Sequence, residues 1–178
     1  APEAVALAYA RAEGRSSGWG GLLMAAVPAG AALGAWVVSR WPHDRQLRSA
    51  VPLAAGACLP LVASWVEPPV GVALVLWFAS GASQGFMVTV IATVNLVTPP
   101  AFRGRVNGLA AAGFSVASAL AFVLAGWVAD LLSPARAAAV AGLAGLVLLA
   151  PLRVAWPSAA LRRAVRRHYA EPVSSPVP

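Results

Sequence analysis

The chain has 178 residues, 60% hydrophobic and 11% charged, and a mean hydropathy of +0.75, too apolar for an ordinary soluble domain. Its net charge of +7 comes from 13 arginines, without lysine, against 6 acidic residues; beside a bilayer this is the cytoplasmic excess drawn to anionic lipid, so no nucleic-acid partner is expected. Cys58 is the single cysteine and His43 and His168 are far apart, which leaves no disulfide, no cysteine metal cluster and no set of residues for nucleophilic catalysis, so neither an enzyme, a metal nor a cofactor is expected.

In chain order, residues 1–18 come first. Residues 1–12 are too short and too charged for a span or a cleavable signal. Residues 5–9 read as the outer end of a helix whose remainder precedes this chain, and 1–18 as an extracytoplasmic stub.

Five apolar stretches follow, at 19–39, 49–66, 70–98, 106–129 and 135–152, with charged residues confined to the connections and the edges. A helix needs about 20 apolar residues to cross a hydrocarbon core of ~30 Å, and a charge at its centre costs roughly 3 kcal/mol. The expected fold is therefore all-α: a polytopic transmembrane helical bundle over residues 19–156 with five spanning helices. A soluble bundle would need polar helix faces that are missing here.

Orientation follows from the connections. Arg40, Arg45 and Arg48 lie in the first, Arg103 and Arg105 in the third, and Arg153, Arg162, Arg163, Arg166 and Arg167 after the last stretch; the opposite side holds only Arg11, Arg15 and Arg136. Basic loops stay in the cytoplasm, so the C-terminus is expected inside. Trp19, Trp65 and Trp127 then fall at outer ends and Trp36, Trp41 and Trp156 at inner ends, leaving Trp77 alone within a span. A composition rich in Ala, Gly, Val and Arg suggests a GC-rich bacterial genome, and hence the bacterial cell (cytoplasmic) membrane.

The first stretch contains the pair Gly30 and Gly34, the third the pair Gly81 and Gly85, each a G-x-x-x-G spacing that permits close helix contact. Pro28 in the first stretch and Pro52 and Pro60 in the second interrupt the hydrogen-bond ladder. In the third, Ser80, Gln84 and Asn95 fall on one face of a continuous helix. In the fourth, Ser115 and Ser118 are midspan hydroxyls and Asn107 lies near the inner end. Residues 157–178 form a basic cytoplasmic tail: 158–169 has the pattern of a helix lying on an anionic leaflet, and 172–178 is a Pro/Ser-rich disordered end.

The run Pro100-Ala101-Phe102-Arg103-Gly104-Arg105-Val106-Asn107-Gly108, with Ala125-Gly126-Trp127-Val128-Ala129-Asp130 after it, resembles the penultimate helix of major facilitator superfamily (MFS) transporters. Residues 20–36, with Arg40 following, look like that family's eighth helix. On this resemblance the five stretches are helices eight to twelve of an MFS-type C-terminal half, and the N-terminal half of the same transporter is a missing partner beside the lipid bilayer and a small-molecule substrate. The implied function is secondary active transport of a small molecule, such as drug or metabolite efflux, by alternating access. The alternatives are a small non-transporting membrane assembly partner and a permease subunit of an ATP-driven transporter.

The resemblance also implies an arrangement. The third helix of each three-helix repeat faces lipid, here the second and fifth stretches, with Ser64 on the lipid side. The others line a cavity, which makes Gln84, Ser80, Asn95, Ser115 and Ser118 the substrate-contact candidates; the competing reading is hydrogen bonding between helices, and for Gln84 the two are evenly matched. Gly34, Arg40, Asp44 and Arg45 form a degenerate version of the family's cytoplasmic loop signature. Together with Arg103, Gly104 and Arg105 they are cytoplasmic gate candidates, the arginines serving otherwise as topology anchors.

Overall fold

The computed structural model describes residues 2–155, with side chains from 5 to 151, so the basic tail expected at 157–178 lies outside the described residues. These residues are all-helical: α1 (Pro2–Ala12), α2 (Ser17–Ser39), α3 (His43–Val62), a 3₁₀ turn (Ala63–Val66), α4 (Val70–Ser83), α5 (Phe86–Val97), a second 3₁₀ turn (Pro100–Phe102), α6 (Arg103–Leu131) and α7 (Pro134–Ala155). Five segments are long and apolar enough to cross a membrane: Ser17–Ser39, His43–Val66, Val70–Val97, Pro100–Leu131 and Pro134–Pro151.

Proline sets several of the starts. Pro42 and Pro69 precede α3 and α4 with φ of −55° and −51°, values their rings impose. Their carbonyls open the helical ladder: Pro69 accepts the amides of Val72 at 2.8 Å and Ala73 at 3.0 Å, and Pro42 those of Arg45 at 2.9 Å and Gln46 at 3.1 Å.

The bundle is closed by glycine. At Gly30 an added Cβ would run into the Phe78 carbonyl and come within 2.8 Å of the Ala82 nitrogen; at Gly34 it would strike Ala82, and at Gly81 it would strike Val27. At Gly85 it would stand 2.5 Å from the Gly34 carbonyl oxygen. The two G-x-x-x-G pairs therefore meet each other, and α2 and α4 touch backbone to backbone. A second seam joins α3 to α7, where a Cβ at Gly142 would be 2.8 Å from the Cys58 carbonyl oxygen and one at Gly145 2.7 Å from the Cys58 sulfur.

Around the end of the α2–α4 contact nearest α1 lies the apolar core. Val5, Ala6, Tyr9 and Ala10 of α1 pack with Leu23, Ala26, Val70, Ala73, Trp77, Ala125, Ala135 and Ala138. The Tyr9 and Trp77 rings meet edge to face, with centroids 5.8 Å apart.

Two features differ from the sequence expectation. The third stretch is not one helix, because it breaks at Gln84 and Gly85. There the amides of Gln84, Gly85, Met87 and Val88 bond three residues back, to Gly81 at 2.8 Å, Ala82 at 3.3 Å, Gln84 at 2.9 Å and Gly85 at 3.2 Å. Two glycines and Ser83 within five residues give this segment low helix propensity, and the tighter turn is the result. Ser64 does not face lipid: it is fully buried in the turn after α3, where its hydroxyl oxygen accepts the Trp77 indole N–H at 3.3 Å. Elsewhere α6 is the least covered segment, with Ala125 its only buried residue and 103–117 exposed on every face, and α3 and α7 pack on each other.

Candidate functional site: a midspan cavity at the helix break

The break between α4 and α5 opens a space. A cavity of about 550 Å³ lies between α3, the α4–α5 break, α6 and α7, with Val27 of α2 at its wall. Its polar lining is Ser80, Gln84 and Ser118; Cys58, Met87, Phe86, Phe114 and Phe122 supply most of the larger apolar surface. Gln84 is close to the middle of the Val70–Val97 segment, and Ser118 close to the middle of Pro100–Leu131.

Each polar group is placed by local backbone. Ser80 is buried on α4 and donates its hydroxyl to the Ala57 carbonyl, tying α4 to α3. Gln84 caps the last turn of α4 through its backbone, which leaves the side-chain amide at the cavity wall. Ser118 is half-buried on the cavity side of α6. Among the described residues no charged side chain lines this cavity. An amide offers two donors and two acceptor lone pairs, so the cavity can hydrogen-bond a neutral ligand while enclosing an apolar one.

Asn95 and Ser115 are elsewhere. Asn95 accepts the Asn107 side-chain N–H at 2.8 Å where the end of α5 meets the start of α6, and Ser115 donates to the Ala111 carbonyl of its own helix at 3.0 Å. The one-face expectation for Ser80, Gln84 and Asn95 assumed an unbroken turn of ~100° per residue. The 3₁₀ step at Gln84–Gly85 shifts that phase. Cys58, Phe114 and Phe122 were missed as lining residues; the small-residue seam between α3 and α7, with Gly142 and Gly145 opposite Cys58, was the available signal for the first.

The gate candidates do not form one cluster. Gly34 belongs to the α2–α4 contact. The Arg40 guanidinium lies 3.5 Å from the centroid of the Trp36 ring and that of Arg45 4.2 Å from Trp41. Asp44, Arg45 and Arg48 border an open groove at the start of α3. On the next connection Arg103 donates Nε–H to the Thr98 carbonyl at 3.1 Å, Arg105 is exposed, and Gly104 has open space around it.

A polar clamp at the opposite end was not foreseen. Glu67 pairs with Arg136 at 3.1 Å and accepts the Ser133 hydroxyl at 2.8 Å, while Glu13 accepts the first amide of α4, from Val70, at 2.9 Å. Tyr9, outside the five spanning segments, donates to the Pro68 carbonyl. Its phenol is pushed up to about 12, chiefly by burial and then by the charges of Glu13 and Glu67. Among the described residues no group of three or more His, Cys, Asp or Glu side chains is placed to hold a metal ion.

No family profile matches the chain, and no curated protein and no solved structure is significantly similar to it.

Proposed function

We propose that this chain is the C-terminal portion of a secondary transporter of the major facilitator type, moving a small neutral molecule across the bacterial cytoplasmic membrane by alternating access. The observation that carries the reading is the uncharged midspan cavity at a broken helix, with Gln84 at its wall. Transporters place substrate near the midplane, at discontinuous helices, because only there is irregular backbone lined by a cavity rather than by lipid.

The exposed α6 supports a partner of the same kind. A spanning helix uncovered on all sides over 103–117, with open space at Gly104, Gly108 and Gly113, offers close contact to further helices, and the N-terminal half of the transporter is the proposed occupant. The arginine distribution supports a cytoplasmic position for the α2–α3 and α5–α6 connections.

Cys58 provides the test, because it is the sole cysteine in the sequence and borders the cavity. In membranes, neutral lipophilic compounds that enter the cavity should slow its reaction with N-ethylmaleimide saturably, and Gln84→Leu should abolish or redirect that protection. The reading fails if no compound of a chemically broad panel protects and Gln84→Leu labels like the parent.

A further inference from the structure

The groove at the start of α3 is a second site, remote from the midspan cavity. It measures about 490 Å³, opens widely to the surface, and is lined by Pro42, Asp44, Arg45, Arg48 and Ser49. Arg45 and Arg48 are both exposed and stand three residues apart, so they share one helix face. Arg45 is held against the Trp41 ring at 4.2 Å, and next to the groove Arg40 is held against Trp36 at 3.5 Å. Stacking fixes a guanidinium in place and leaves its edge N–H groups free for an anion.

Charge at this end of the bundle is unbalanced. The α2–α3 and α5–α6 connections and the helix starts after them carry Arg40, Arg45, Arg48, Arg103 and Arg105 with a single acidic residue, Asp44, whereas at the opposite end Arg136 is paired with Glu67. Beyond the groove, Leu59 is exposed farther along the apolar part of α3. An occupant therefore meets cations at one end and hydrocarbon at the other, at the depth where indole rings sit in a bilayer.

We propose that this groove seats an anionic phospholipid, with its phosphodiester between Arg45 and Arg48 and its acyl chains along α3. Two arginines on one helix face match a singly charged head such as phosphatidylglycerol.

The test is native mass spectrometry of the full 178-residue chain in mild detergent, titrated with dioleoylphosphatidylglycerol or dioleoylphosphatidylcholine. The first phosphatidylglycerol should bind roughly thirtyfold more tightly than phosphatidylcholine, as expected for two arginines at a membrane surface. The double variant R45Q/R48Q should erase that preference, and R103Q/R105Q, which removes the same charge from the neighbouring connection, should keep it. Binding of phosphatidylcholine to both variants reports that they are folded; if R45Q/R48Q fails this control, R45K/R48K replaces it and should lower the preference without abolishing it. Equal binding of the two lipids by the parent, or equal loss in both arginine pairs, overturns the site in favour of a diffuse field. Displacement of the lipid by millimolar inorganic phosphate overturns it in favour of a free-anion site.

Discussion

Gln84 and Ser64 behave oppositely because their surroundings differ, although both are polar side chains on apolar segments. Gln84 stands at a cavity wall, so Gln84→Leu should change ligand protection of Cys58 while membrane expression stays near that of the parent. Ser64 is sealed, and its oxygen is the acceptor for the Trp77 indole N–H. Ser64→Ala would orphan that buried donor, and thermal unfolding in detergent should show a loss of about 1–3 kcal/mol. A melting temperature unchanged in Ser64→Ala would mean the indole has another partner. Tyr9 gives the pH counterpart. Its phenol ionises near 12 in the fold and near ~10 in an unfolded chain. The stability this contributes is fully present below pH ~10 and is lost as pH rises through 12. Absorbance titration of the parent against Tyr9→Phe should assign the late phenolate step to Tyr9; a Tyr9 transition near 10 would place the ring in water.

Among the helices, glycine separates those that are packed from those that are open. Gly81→Ala would drive a methyl into the backbone of α2 at Val27, where neither partner can move aside, and should cost about 1–3 kcal/mol or more by overpacking. Gly108→Ala meets nothing within 4 Å on α6 and should leave the isolated chain as stable or up to ~1 kcal/mol more stable, through helix propensity alone. Detergent unfolding of the pair checks both signs, and equal destabilisation would mean that α6 is packed like α4. With the N-terminal half present, Gly108→Ala should become unfavourable if α6 is covered as proposed. The spacing of Gly30, Gly34, Gly81 and Gly85 marked these residues as packing positions in the sequence. That the two pairs oppose each other was not legible, because a periodicity identifies a face but not its partner.

For the whole molecule the arginine asymmetry is the decisive quantity. A cysteine introduced at His43 or Ala101, in a Cys58→Ala background, should resist an impermeant thiol reagent in intact cells, while one at Pro69 or Ser133 should react. Labelling at His43 would invert the proposed orientation.

Five apolar segments long enough to span, the ends at which arginine gathers and the absence of charge from the middle of the apolar stretches are determined by the sequence alone, because transfer of each side chain between water and hydrocarbon is a property of local composition. The clustering of Ser80, Gln84 and Ser118 was also partly legible, since each is a polar residue in the middle of an apolar run. Only the tertiary structure decided that Asn95 departs from them to meet Asn107, that Ser64 is sealed beneath Trp77, that Cys58 and two phenylalanines complete the cavity, and that Glu67, Ser133 and Arg136 close the opposite end. Two causes are at work. A 3₁₀ step of two residues at Gln84–Gly85 rotates everything after it, and contacts before that step, such as Ser64 with Trp77, depend on which glycine faces which backbone.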